Sequence, residues 1–470
     1  MTETSGKFEC FKVRGLRGKP NLEVNIRDNV LILVGENGAG KTTLLRMMFY
    51  FLSGKFRQLL QFKFDVIEAE LDGVVHYLSY EQLESAYTVD IKLLNRLSPS
   101  TRMRIKEAQA NGRLDEVTFL LDRYYDRGYP NQNELPFDEA SFGRLSAIQD
   151  AVRSSLKAQI LYLPTYRRIE RELSTIFEGA DEDGLRRLRK LQQTDTEVSY
   201  IELVEFGMGD VEKALSKNLE DIRKFSNDRL HSLTLSYLGD IVGKEYENLT
   251  SVDEFYRNAD EVSKVLNRVS NEILNQTQKR EIAGTLTKKT HLSELSVQEK
   301  IIHHYFTKLL KFHSELQNKE QNIARFCDIC SDYISDKQFV YDSRRFEFHI
   351  QSTGSGDCEE AEELDFNDRK DDLRLSDLSS GEKQIVSLFS HLYLSGVSKF
   401  FVLIDEPELS LSVPWQRRFL QDIKNGAFCT GVVAVTHSPF IYDNELRPYA
   451  RAIGEFVKGE DWGNIDVDAR

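Results

Sequence analysis

The spacing of apolar and polar residues predicts strands at both ends of the chain and helices through its middle. From Phe8 to Ile26 apolar and polar positions alternate (Phe8, Cys10, Phe11, Val13, Leu16, then Leu22, Val24, Ile26), interrupted by Gly15, Gly18 and Pro20. This predicts a small antiparallel hairpin. Leu31 to Val34 are continuously apolar, the pattern of a strand buried on both faces, and an apolar helix follows from Leu44 to Phe51. The segment from Lys55 to Gln149 is mixed, with two or three strands expected between Phe62 and Leu83 and helices from Tyr87 to Leu121. Ile160 to Leu163 form a strand that ends at Pro164.

From Thr194 to Ile334 the pattern is helical, without strand-like alternation of useful length. Val262, Val265, Leu266, Val269, Ile273 and Leu274 share one helical face, and Ile302, Tyr305, Phe306, Leu309 and Leu316 share another. These stripes suit a compact helical subdomain and are too short for very long coiled-coil arms. Strand signals return in a hairpin, Gln338 to Tyr341 with Arg345 to Gln351, and an acidic exposed loop from Gly356 to Asp372 follows. The last elements are a helix through Leu388 and Leu392 and two apolar strands, Phe400 to Ile404 and Val432 to Val435.

Chemistry sits at the ends of these elements. The first buried strand runs into Gly35-Glu36-Asn37-Gly38-Ala39-Gly40-Lys41-Thr42-Thr43. Glycines let successive N–H groups turn toward phosphate oxygens, and the following helix presents its positive end to the same anion. Lys41 would neutralise the β and γ phosphates of a nucleoside triphosphate, expected to be ATP, and the Thr42 hydroxyl would ligate Mg2+. The early hairpin would lie beside the adenine. Phe400 to Ile404 end in Asp405 and Glu406, one carboxylate to hold Mg2+ and one to polarise the attacking water. Val432 to Val435 end in Thr436-His437-Ser438, where His437 would contact the γ-phosphate. Ser379, Ser380 and Gly381 open a helix and form a second phosphate cradle. Two cradles in one chain imply two chains sandwiching each nucleotide.

Composition narrows the setting. The net charge of −14 over 470 residues confines any DNA contact to a local patch. The best candidate patch is Arg167, Arg168, Arg171, Arg186, Arg187, Arg189 and Lys190, with a solvated, internally paired helix face as the alternative. Five scattered cysteines fit a reducing compartment, and Cys327-x2-Cys330 lacks a second pair to complete a zinc site. No apolar run is long enough for a membrane and no signal peptide opens the chain, so a cytoplasmic protein is expected.

The ordered set Gly35 to Thr42, Leu378 to Glu382, Asp405-Glu406 and His437 resembles the ABC-type ATPases of the SMC, RecF and OLD-like branch. The resemblance implies a P-loop α/β fold with an antiparallel β subdomain and a large helical insertion. It makes Lys41 and Thr42 Walker A, Asp405 and Glu406 Walker B with the catalytic glutamate, Ser379 to Gly381 the signature loop, Glu408 to Ser412 the D-loop and His437 the switch histidine. The segments it implies are an ATPase lobe at 1–54, a mixed insertion at 55–150, an Arg-rich return at 151–175, a helical interaction or oligomerisation insertion at 176–336, and a C-terminal ATPase lobe at 337–470.

DEPELSL with Trp415-Gln416, THSPFI at 436–441, LPTYRRIE at 163–170 and FGMGDVEKAL at 206–215 are similar to the ATPase subunits of the Septu and PARIS phage-defence systems. No Q-loop glutamine is assignable, and Ser412 stands where many relatives carry His. The resemblance implies a homodimer or higher homo-oligomer. It would sense a DNA or phage-derived trigger and control a separate effector, expected to be a nuclease because the residues after His437 leave no room for one. The alternative is a RecF-like ATPase of DNA repair or recombination.

Overall fold

The structure is a computed structural model that describes residues 6–16, 21–36, 38–87, 99, 102–104, 139–164, 200–202, 208–248, 259–268, 274–287, 295–353, 373–409 and 411–458. In chain order its main elements are β1 (Phe8–Arg14), β2 (Asn21–Asn25), β3 (Val30–Val34), α1 (Lys41–Leu52), α2 (Phe56–Leu59), β4 (Val66–Leu71), β5 (Val74–Ser79), α3 (Tyr80–Tyr87), α4 (Glu139–Leu156), β6 (Gln159–Leu163) and β7 (Tyr200–Glu202). There follow α5 (Met208–Val242), α6 (Ala259–Asn267), α7 (Gln276–Thr287), α8 (Val297–Tyr333), β8 (Lys337–Asp342), β9 (Glu347–Ser352), α9 (Ser380–Leu394), β10 (Phe400–Asp405), α10 (Val413–Asn425), β11 (Cys429–Thr436), β12 (Ala450–Ala452) and β13 (Val457–Lys458). They form two compact units, Met1–Glu205 with Val397–Arg470, and Phe206–Gly396. The β8–β9 hairpin and α9, which the sequence reading assigns to 337–470, are grouped with the helices.

The first unit is a mixed α/β fold. Its six-stranded sheet has the order β12-β3-β11-β10-β6-β7, with every pairing parallel. The apolar runs are interior strands: every residue of β10 is buried, as are Val432 to Thr436 of β11. Register aligns Val34 with Thr436 and Asp405 with Val435, so β3, β11 and β10 end side by side. Gly431 permits this spacing, because a β-carbon there would come within 2.4 Å of the Phe401 ring. The predicted hairpin is β1 and β2, within an antiparallel sheet of order β13-β2-β1-β4-β5.

Helix α1 is apolar almost all round because both sheets share a core with it. Phe51 meets Phe11 of β1 edge-on at 5.8 Å, and Phe49 stacks on Tyr162 of β6 at 4.7 Å between ring centres. Burying six fully covered side chains (Leu44, Leu45, Met47, Met48, Phe49, Phe51) contributes on the order of 2 kcal/mol each and holds the helix's first turn rigid.

Strand β7 is a short exception in the stretch 194–334, which reads as almost wholly helical. Three residues, paired in parallel with Ile160 to Tyr162, are too few for alternation to show and depend on β6 for their hydrogen bonds.

In the second unit, α5 and α8 span 35 and 37 residues, each about 55 Å long. They run antiparallel: Lys319 lies over Phe225, Glu315 pairs with Arg229, Tyr305 packs on Tyr237, and His304 bonds Asp240. A capping box between Ser296 and Glu299 starts α8. Phe306, Leu309 and Leu316 are buried along it, while Ile302 and Tyr305 are half-buried. Cys327 and Cys330 belong to this buried face; burial pushes the Cys327 thiol up to about 12 and Cys330 well above its ordinary value.

The other predicted stripe is described only in part. Val262, Val265 and Leu266 are buried on α6, but that helix ends at Asn267, and Leu274 lies beyond it. Val269, Ile273, the Arg167 to Lys190 cluster, the Gly356 to Asp372 tract and most of Tyr87 to Leu121 lie outside the described residues. Among the described residues no helix is long and apolar enough to cross a membrane.

Candidate functional site

The phosphate loop leaves β3, which lies between β12 and β11 in the parallel sheet, and enters α1 directly. Gly38 and Gly40 have φ of +82° and +94°, values that L side chains resist, and Gly40 caps α1. Such a turn directs backbone donors into its own concavity. Gly35, Glu36 and Ala39 complete the described loop, Asn37 lies outside the described residues, and Thr42 and Thr43 are half-buried in the first helical turn.

Lys41 is 4% exposed. Its ammonium donates to the carbonyls of Gly35 and Glu36 at 2.7 and 2.9 Å, and Nζ lies 3.1 Å from His437 Nε2. Burial lowers the ammonium's pKa, opposed by Glu406, Asp405 and Glu408. An arriving phosphate would replace loop carbonyls with anionic acceptors and strengthen these hydrogen bonds.

Asp405 ends β10, 2% exposed, and accepts the Thr42 hydroxyl proton at 2.9 Å. A hydroxyl and a carboxylate oxygen in contact form a hard donor pair suited to Mg2+, which keeps water and phosphate as its other ligands. Among the described residues no three His, Cys, Asp or Glu side chains cluster as a metal site. Glu406 turns out of the sheet with φ +52°, while its N–H keeps a ladder bond to Val435 at 2.8 Å. A non-glycine residue in this left-handed region stores strain, and the neighbouring ladder bond holds it there. Burial and the adjacent Asp405 push its carboxyl pKa up, the direction that makes a carboxylate a better base. Glu406 Oε1 lies 3.4 Å from His437 Nε2.

Five predicted residues therefore meet: Lys41, Thr42, Asp405, Glu406 and His437. The sheet order brings them together across nearly the whole chain. Ser379, Ser380 and Gly381 belong to the second unit, where Ser379 caps α9. Its N–H donates to Glu382 Oε2 at 2.7 Å and its hydroxyl accepts from the Glu382 N–H at 3.4 Å. Lys337 holds the other carboxylate oxygen at 2.9 Å. Burial works against ionised Glu382, but Lys337 and the Ser379 hydrogen bonds leave its pKa below the ordinary value. Ser379 and Ser380 are exposed at this helix start.

Glu408 is the residue whose local role the sequence reading missed. It was assigned only to the D-loop, of which Ser410 lies outside the described residues. Its carboxylate accepts hydrogen bonds from the Thr436 hydroxyl at 2.8 Å and from the N–H groups of His437 and Ser438 at 2.6 and 3.2 Å. A third acid directly after Asp405-Glu406-Pro407 was the available signal.

A family model described as "AAA ATPase domain" matches residues 7–442. The chain belongs to the AAA ATPase domain family. As a member of that family it is an ATP-binding ATPase. No curated protein matches it. Among solved structures, it is similar to the Smc head domain with an extended coiled coil bound to the C-terminal domain of ScpA, from Pyrococcus furiosus, at 13% identity and TM-score 0.34, covering 93% of this chain and 92% of that one. It is also similar to the Smc head domain with a coiled coil and joint from Pyrococcus yayanosii, at 13% identity and TM-score 0.28, covering 93% of both chains.

Proposed function

We propose that this ATPase hydrolyses MgATP between two chains and uses the cycle to control a separate effector protein. The observation carrying the chemistry is the meeting of Lys41, Thr42, Asp405, Glu406 and His437 at three adjacent strand ends. Lys41 neutralises the β and γ phosphates, and Thr42 with Asp405 holds Mg2+, which supplies further charge neutralisation when bound. Glu406 accepts a proton from the water that attacks the γ-phosphorus as the bond to the β-γ bridging oxygen breaks. His437 donates to the γ-phosphate once Lys41 has turned from it to the nucleotide. Ser379, Ser380 and Gly381 of a second chain complete the cradle, their helix N-terminus facing the same phosphate.

The effector role rests on the sequence resemblance to phage-defence ATPases, and a nuclease is the effector class it favours. Glu406→Gln protein should form ATP-dependent dimers, and capture from cells expressing it with its flanking genes should yield a nuclease in stoichiometric amount. Monomers at saturating MgATP would remove the two-chain site. Recovery of DNA alone would replace the effector reading with the RecF-like one, in which DNA stimulates hydrolysis with a steep salt dependence.

A further inference from the structure

We infer that Glu408 is a positioning residue for hydrolysis, acting through His437 rather than on the nucleotide; this deepens the reading of His437 given above and rests on it. The chain reverses after Glu406, whose left-handed backbone is followed by the fixed φ of Pro407, and this carries Glu408 back toward the end of β11. There its two oxygens divide the work. One accepts the consecutive N–H groups of His437 and Ser438 at 2.6 and 3.2 Å, and the other accepts the hydroxyl of fully buried Thr436 at 2.8 Å. A charged acceptor makes these bonds about twice as strong as neutral ones.

Three hydrogen bonds to consecutive residues fix the backbone from which the imidazole projects. They fix it to the loop that carries Glu406, so the 3.4 Å spacing between His437 and Glu406 is set by Glu408. Gln416 of α10 adds a second tie. Its amide donates to the Leu411 carbonyl at 2.9 Å, and its carbonyl accepts the Ser438 hydroxyl at 2.6 Å. The segment from Glu408 to Leu411 and the His437 loop are thereby linked through two independent side chains, and displacement of the former would move the imidazole.

The test is a double-mutant cycle in kcat, with ATP affinity and thermal midpoint measured on each protein. Glu408→Ala should lower kcat by about tenfold to a hundredfold, the scale of an ångström-level misplacement, with ATP affinity changed less than about threefold. In a His437→Ala background the same substitution should cost less than about threefold, because the group it positions is gone. Glu408→Gln keeps an acceptor for both N–H groups and an amide for Thr436, whose hydroxyl can accept, and should hold kcat within about threefold of the parent. Equal losses in both backgrounds, or a Gln variant as impaired as Ala, would overturn the inference. If Glu408→Ala does not fold, Gln416→Ala enters the same cycle, and additivity with His437→Ala overturns it equally. If His437→Ala leaves kcat intact, the fault lies in the role given to His437, a distinguishable failure.

Discussion

Asn29 is the hinge on which the first unit's two sheets and the Walker A strand are joined, and replacing it should cost more than any surface change. It sits one residue before β3, 7% exposed, with φ +59°. Its side-chain oxygen accepts the Phe8 N–H at 2.7 Å, and its amide donates to the carbonyls of Gly6 at 2.8 Å and Thr430 at 3.0 Å. Asn29→Ala strands one donor and two acceptors. Buried, each costs about 1–3 kcal/mol, and the Thr430 carbonyl, only partly covered, belongs at the low end. An alanine β-carbon in the left-handed region adds about 1 kcal/mol. The expected loss is about 4–8 kcal/mol, a large share of a typical domain's roughly 5–15 kcal/mol. Asn29→Gly should lose about 1 kcal/mol less, since glycine accepts the backbone angle freely. Trp415 lies on α10 of this unit, so urea unfolding followed by tryptophan fluorescence reports on it. A loss under about 1 kcal/mol for Ala, or Gly costing more than Ala, would refute the reasoning.

Two further predictions concern the second unit. Arg268 grips buried Glu320 through two nitrogens, at 2.8 and 3.3 Å, and Tyr341 donates to the same carboxylate at 3.0 Å. Arg268→Met should therefore destabilise by about 3–5 kcal/mol by leaving a buried charge uncompensated, whereas Arg229→Met, at an exposed pair, should barely move the urea midpoint. His391 is buried in α9, and burial depresses its pKa from 6.5 to about 4. Between those values the unfolded chain binds a proton that the folded one refuses, so stability is present above pH 6.5 and falls on acidification toward pH 4, by about 3 kcal/mol in all. The difference in unfolding free energy between the parent and His391→Leu should shrink over that window; a pH-independent difference would contradict it.

The apolar runs Leu31 to Val34, Phe400 to Ile404 and Val432 to Val435 were legible because strands covered on both faces need no alternation, and Gly, Asp-Glu and Thr-His mark where each run ends. Their adjacency was not legible, since sheet order depends on pairings between residues some 400 positions apart, such as Val30 with Val432. Strand β7 was missed because it is shorter than one full alternation. Of the stripe from Val262 to Leu274, the described helix α6 carries Val262, Val265 and Leu266. Glu408 was visible only as a nearby acid. Its partners Thr436, His437 and Ser438 arrive from the neighbouring strand, and a hydrogen bond to a backbone N–H leaves no trace in composition or spacing.

In the proposed mechanism Lys41 and Thr42 hold MgATP while Glu406 accepts the proton of the attacking water. The most direct measurement is single-turnover cleavage of γ-labelled ATP, with bound nucleotide quantified in the same samples, for the parent, Glu406→Gln and Lys41→Ala. The account predicts that Glu406→Gln retains uncleaved ATP and cleaves it about 100-fold or more slowly, while Lys41→Ala fails to retain nucleotide. Cleavage by Glu406→Gln at the parent's rate, or undiminished ATP retention by Lys41→Ala, would contradict it.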